Sequence, residues 1–226
     1  MLKNKHCGHL TITDEFGNSS YLLKMEEIVT TSFKRRHLPH WHVQNKPYFV
    51  TFRLKNTIPQ NVVDELKQKR EKLISSGASD QIIDEFNKHE FYTIESILDK
   101  INNKICFLKN PEIANLISNS FDYLKEKMFW DYLCYTIMPN HVHCLMINIK
   151  HENISLESAL GALKQHVAYE GNKILKRNGK MWCDENFDHW CRTQESVDKF
   201  IQYIKNNPVK AGLVNNWQEW KWTKLK

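Results

Sequence analysis

Residues 129–149, Phe129-Trp130-Asp131-Tyr132-Leu133-Cys134-Tyr135-Thr136-Ile137-Met138-Pro139-Asn140-His141-Val142-His143-Cys144-Leu145-Met146-Ile147-Asn148-Ile149, decide the fold. Phe129–Ile137 and His141–Ile149 are both rich in β-branched and aromatic residues, the composition of strands. Only Met138-Pro139-Asn140 lies between them. A parallel crossover needs a dozen or more residues, so the two strands must run antiparallel.

The flanking segments read as helices and one further strand. Upstream, Pro111 stands at a first helical position, and Ile113, Leu116, Ile117, Phe121 and Leu124 follow at three- and four-residue spacing, predicting an amphipathic helix. Earlier still, Tyr48–Leu54 is a strand pattern with Tyr48, Val50 and Phe52 on one face and Phe49, Thr51 and Arg53 on the other. Between them, Pro59 and Asn61 open a helix that Ser75-Ser76-Gly77-Ala78 breaks, and Ile82, Ile83 and Phe86 begin another, so residues 60–105 read as a helical insertion. Downstream, a helix starts near Ser155, with Leu156, Leu160, Leu163 and Val167 on its buried side, and stops near Arg177-Asn178-Gly179. A last helix is expected from Glu195 to Asn206, ended by Pro208. Helices over an antiparallel sheet make the fold class α+β. The expected organisation is an N-terminal arm, residues 1–33, and a single main domain, residues 34–226.

Composition narrows the function classes. The chain has 226 residues, 41% hydrophobic and 26% charged, which excludes a disordered tail, a collagen-like fibre and a small disulfide scaffold. Thirty-two Lys and Arg against 26 Asp and Glu leave a net charge of +6, which permits an anionic partner without demanding one. The six cysteines are scattered without a C-x-x-C pair, so reduced thiols are expected rather than disulfides or zinc. Met1–Leu10 is polar, and no apolar run approaches the roughly 20 residues of a membrane helix. A cytoplasmic protein with no membrane partner is expected.

His141 and His143 are two apart on a strand and therefore present two imidazoles on one face beside the tight turn. Such a pair can be half of a divalent-metal site or two ordinary hydrogen-bonded strand histidines. On the last helix, Val197, Phe200, Ile201 and Ile204 mark the apolar stripe. Tyr203 lies at its border, with Asn207 one turn on. A phenol with a carboxamide stacked below it can supply a nucleophile and a further ligand. Equally, Tyr203 can snorkel at a core edge and Asn207 can end a helix before Pro208.

Pro139-Asn140-His141-Val142-His143, followed about 60 residues later by Tyr203-Ile204-Lys205-Asn206-Asn207-Pro208-Val209-Lys210-Ala211-Gly212-Leu213-Val214, resembles the REP-associated tyrosine transposases. These are single-tyrosine members of the His-hydrophobic-His (HUH) nuclease superfamily. Arg35–Trp41, Tyr48–Leu54 and Met181–Glu185 also match recurring segments of that family, so the resemblance runs from about residue 33 to the C-terminus. Where relatives often read Trp-Gln-Asp-Glu-Tyr-Tyr-Asp, this chain has Trp182-Cys183-Asp184-Glu185-Asn186-Phe187-Asp188.

The resemblance implies a ferredoxin-like antiparallel sheet with helices on one face. It also implies a divalent cation, Mg²⁺ or Mn²⁺, on His141 and His143, with Asn207 as third ligand. Tyr203 is then the nucleophile that attacks a DNA phosphodiester and leaves a 5′-phosphotyrosine. The expected substrate is single-stranded or hairpin DNA of the repetitive extragenic palindrome type, the expected setting a bacterial cytoplasm at the nucleoid, and the expected state a monomer or homodimer. Arg35, Arg36, Trp41, Lys210 and Trp222 are candidate DNA contacts, since single strands are gripped by basic grooves and aromatic platforms. Two other readings stand beside this one. One is a non-catalytic or domesticated nucleic-acid-binding protein that keeps the fold. The other is a metallohydrolase with a water nucleophile, which should display further Asp, Glu or His ligands near a loop and should not depend on Tyr203.

Overall fold

A computed structural model describes the backbone of residues 9–13, 19–24, 30–35, 39–43, 46–100, 105–150 and 154–226, with side chains from residue 46 onward. Four N-terminal strands form two antiparallel pairs: β1 (His9–Thr13) with β2 (Ser19–Lys24), and β3 (Thr30–Arg35) with β4 (Pro39–Val43). Strand β3 runs across the 33/34 position expected to separate arm from domain.

The central sheet has five strands: β5 (Tyr48–Arg53), β6 (Trp130–Ile137), β7 (His141–Asn148), β8 (Phe187–Trp190) and β9 (Thr223–Leu225). Their order is β8-β5-β7-β6-β9, and every neighbouring pair is antiparallel. Helix α3 (Pro111–Met128) joins β5 to β6, and α4 (Leu156–Ile174) joins β7 to β8. Without β9 this is the ferredoxin-like β-α-β-β-α-β arrangement. The α+β expectation holds, as does the antiparallel pairing across Met138-Pro139-Asn140, where Met138 N–H donates to the His141 carbonyl at 2.9 Å.

The two faces of the sheet bury different cores because strand side chains alternate. Tyr48, Val50 and Phe52 of β5 and Val142, Cys144 and Met146 of β7 pack against Ile113, Ile117 and Phe121 of α3 and Leu160, Leu163 and Val167 of α4. These are the helices expected on one face. Phe49, Leu145 and Ile147 point the other way, onto Val197, Ile201 and Ile204 of α5 (Gln194–Lys210) and Phe91 of α2 (Asp80–Asp99). Helix α2 follows α1 (Gln60–Ser75) in a hairpin whose turn needs Gly77 at φ +68°. Both lie in the stretch expected to be helical between β5 and α3.

Local signals set the helix ends. The Asn110 side chain caps α3 by accepting from Glu112 N–H at 2.8 Å, with Pro111 next in line. Helix α5 corrects an expectation: it does not stop at Asn206 but continues through Pro208 to Lys210. Proline removes only its own N–H, and the turn beyond it still closes, with Ala211 N–H on the Asn207 carbonyl and Leu213 N–H on that of Pro208, both at 3.0 Å. Asn207 is therefore a helical residue one turn after Tyr203. No helix among the described residues is long and apolar enough to cross a membrane.

Candidate metal centre and nucleophile

The register of β7 determines the site. His141 and His143 share a face with Leu145 and Ile147, so both imidazoles project toward α5 and α2, and neither has any exposed surface. Asn140, at the end of the turn, fixes the first ring. Its Nδ2 donates to the Leu98 carbonyl at 3.1 Å, so its Oδ1 must accept, and His141 Nδ1–H is the donor at 2.6 Å. That leaves His141 Nε2 with its lone pair. Burial, then the neighbouring His143, pushes the His141 pKa down to about 3, so the ring is neutral, the form that ligates metals.

His143 is held from its other side by Thr51 Oγ1, 2.8 Å from Nδ1, across the β5–β7 pairing of those two residues. Its ring stacks on Phe49 at 5.6 Å between centroids, and Phe49 in turn stacks on Phe200 at 4.2 Å. The two Nε2 atoms face each other at 3.0 Å. Two nitrogens in adjacent octahedral positions, each about 2.1 Å from one cation, would stand about 3.0 Å apart.

Sequence reasoning missed the third member, Glu95 of α2. It is 1% exposed, and its Oε2 lies 3.2 Å from His143 Nε2. The ligand-type atoms of Glu95, His141 and His143 all fall within 4.8 Å of one another. Burial alone would raise the Glu95 pKa, but the two histidines and a hydrogen bond from Tyr203 outweigh it and hold the carboxyl at about 2. A signal was present: Phe91, Glu95 and Leu98 are the buried residues of α2, so a carboxylate sits in an apolar stripe at helical spacing.

Tyr203 and Asn207 come to the same place from α5. The Tyr203 hydroxyl donates to Glu95 Oε2 at 2.5 Å, and its ring meets His143 edge-on at 5.3 Å. Burial and then the Glu95 charge raise its pKa above the ordinary phenol value, so in this form Tyr203 is a proton donor. Asn207 is 1% exposed. Its carboxamide lies near enough to favour a charged His141, yet neither its Oδ1 nor its Nδ2 makes a hydrogen bond. Glu95 Oε1 is likewise buried without a partner. Buried polar atoms are nearly always satisfied, so these unpaired oxygens beside two imidazole nitrogens fit a divalent cation.

The candidate DNA contacts belong to several elements. Arg35 lies on β3 and Trp41 on β4, their side chains outside those described, and Arg36 lies outside the described residues. Lys210 ends α5 close to the metal centre, with Nζ 2.7 Å from Asp99 Oδ2 of α2. Trp222 is partly buried against the core of the α3 and α4 face, with Lys221 Nζ 4.8 Å from its ring.

No family model matches the chain, and no curated protein matches it. Among solved structures, the chain is similar to a REP-associated tyrosine transposase bound to a REP hairpin. The TM-score is 0.52 at 13% sequence identity, over 85% of this chain and 81% of that one. At that identity the likeness establishes a shared fold.

Proposed function

We propose that this chain is a metal-dependent single-stranded DNA endonuclease and strand transferase of the transposase type, acting through a 5′-phosphotyrosine on Tyr203. The observation that carries the reading is the placement of the Tyr203 hydroxyl, at 2.5 Å, and His143 Nε2, at 3.2 Å, on a single oxygen, Glu95 Oε2, with His141 Nε2 3.0 Å from His143 Nε2. A nucleophile one oxygen away from metal-ligand nitrogens is what phosphoryl transfer to a tyrosine requires.

In this reading His141, His143 and Asn207 hold Mg²⁺ or Mn²⁺, which when bound supplies charge stabilisation to the phosphate under attack. Thr51 and Asn140 orient the two rings through their Nδ1 atoms. A bond forms between Tyr203 Oη and phosphorus, the P–O3′ bond breaks, and the phenol's proton is lost as the leaving 3′-oxygen gains one. The covalent phosphotyrosine conserves the bond, so a second 3′-hydroxyl can reverse the step on a new strand without ATP. The substrate in this reading is hairpin-bearing single-stranded DNA, and the similar transposase is bound to a REP hairpin. Arg35, Arg36, Trp41, Lys210 and Trp222 are proposed to line its path.

Glu95 favours one other reading. It is an additional carboxylate of the kind a metallohydrolase with a water nucleophile would display, though it stands within helix α2 rather than near a loop. One assay separates the two. Labelled hairpin-containing single-stranded DNA is incubated with protein and Mn²⁺ and examined for a denaturation-resistant adduct. Wild type is expected to form it, and Tyr203→Phe or EDTA to abolish it. Cleavage that persists without an adduct in Tyr203→Phe would establish the water nucleophile instead. Binding without cleavage under several metals would leave a nucleic-acid-binding protein.

A further inference from the structure

The proposed metal ligands are sealed, while the Tyr203 side chain is only partly buried. His141 and His143 are 0% exposed and Asn207 is 1% exposed, so no phosphodiester can reach them in this arrangement. Helix α2, an element outside the ferredoxin-like core, covers them together with β5 and α5. Its Glu95 oxygen occupies the position between the Tyr203 hydroxyl and His143 Nε2. A scissile phosphate has to put a negatively charged oxygen near the same nitrogens and its phosphorus near the same hydroxyl. We propose that α2 is a cap over the centre and that the Glu95 carboxylate is a placeholder for the substrate phosphate in a closed resting form. The placeholder role rests on the tyrosine-transferase reading, whereas the cap rests on burial alone.

The attachments of α2 suit a part that can leave. At its C-terminal end the Leu98 carbonyl accepts from Asn140, and Asp99 pairs with Lys210, whose side chain is 56% exposed. At its middle Phe91 packs on Phe187 at 4.5 Å and on Tyr203 at 5.9 Å. On its other side α2 is bound to its own hairpin partner, where Arg70 of α1 pairs with Glu90 and lies 5.1 Å over Phe86. The hairpin can therefore move as a pair, breaking four polar contacts, those of Leu98 with Asn140, Asp99 with Lys210 and Glu95 with Tyr203 and His143, and one aromatic cluster. Tyr92, the residue after Phe91, is 65% exposed, so the outer side of α2 is free among the described contacts. The unpartnered Glu95 Oε1 leaves the carboxylate half satisfied, which a helix kept only for packing would not carry.

The test has two readouts on the full chain. The first is access: EDTA-treated protein is exposed to diethyl pyrocarbonate, and modification of His141 and His143 is followed by peptide mass spectrometry against the exposed His166. Asp99→Asn, which only loosens the end of the cap, is expected to raise labelling of both histidines about twofold or more. Phe91→Ala should raise it about tenfold or more. Unchanged labelling in both variants, with native circular dichroism, would overturn the cap. The second readout is the rate of Tyr203 adduct formation, expected to rise in Asp99→Asn and Glu95→Ala. If labelling rises and adduct formation falls in both, Glu95 is needed in place and the placeholder role is overturned. If labelling rises and neither wild type nor variants ever form an adduct, the cap stands and the transferase reading fails.

Discussion

His141 Nε2 and His143 Nε2 face each other at 3.0 Å with no water-exposed surface on either ring. A proton or a cation must sit between two nitrogens so placed, and a cation satisfies the nearby Asn207 and Glu95 oxygens as well. Saturating Mn²⁺, at about 100 times its dissociation constant, should therefore stabilise the fold by about 2.7 kcal/mol. For a chain of this size that is a rise in Tm of about 5–10 °C. Differential scanning fluorimetry checks it, and His143→Ala should remove the rise. An equal rise in the variant would place the cation elsewhere.

Asn140 joins the centre to α2, taking the His141 Nδ1–H and giving its own N–H to the Leu98 carbonyl. Asn140→Ala should lower Mn²⁺ affinity by about 10- to 100-fold, the usual effect of losing the group that orients a histidine ligand. Isothermal titration calorimetry measures this directly. Full affinity in the variant would mean that packing alone holds the ring.

Acid should unfold the metal-free protein in a way that reports on His141. Its folded pKa is pushed down to about 3, below the ordinary value of 6.5. Between those values the unfolded chain binds a proton that the native state refuses, so stability is full above about 6.5 and falls as pH drops toward 3. The loss is on the order of a few kcal/mol. Glu95, held at about 2, adds a second loss of the same sign below 4.5. Urea titrations in EDTA from pH 7 to 4 should show the decline, and His141→Gln should flatten its upper part. A wild-type profile flat over that range would mean that the ring charges freely in the native state.

Phe49 is fully buried between His143 and Phe200. Phe49→Ala should cost about 3–5 kcal/mol in chemical denaturation, as expected for a large aromatic deleted from a core. Phe49→Leu, which keeps much of the volume, should cost less in stability but still weaken Mn²⁺ binding by freeing the His143 ring. If Phe49→Leu binds Mn²⁺ as wild type does, Thr51 alone orients the imidazole.

Much of the fold was legible because its signals are local. The three-residue interval at Met138-Pro139-Asn140 forces an antiparallel pair, and Asn110-Pro111 announces α3. The alternation along β5 also divides as expected, with Val50 and Phe52 in one core and Phe49 in the other. Pro208 misled as a stop because a proline in the last turn of a helix forfeits one hydrogen bond, while capping contacts beyond it restore the rest. The site was half legible. His141, His143, Tyr203 and Asn207 are paired by short intervals within β7 and α5. Glu95 is separated from Tyr203 by 108 positions, and their meeting depends on how a helical hairpin docks, which no interval encodes.

Strand β7 binds chemistry and folding into one choice. Its even-numbered residues Val142, Cys144 and Met146 feed one core, and its odd-numbered residues carry both imidazoles and the base of the other. A slip of one residue against β5 would exchange the two sets, burying both histidines among the aliphatic side chains of α3 and α4. Misfolding and loss of the candidate metal centre are then the same event, so a chain that packs correctly along β7 also brings its two imidazoles together.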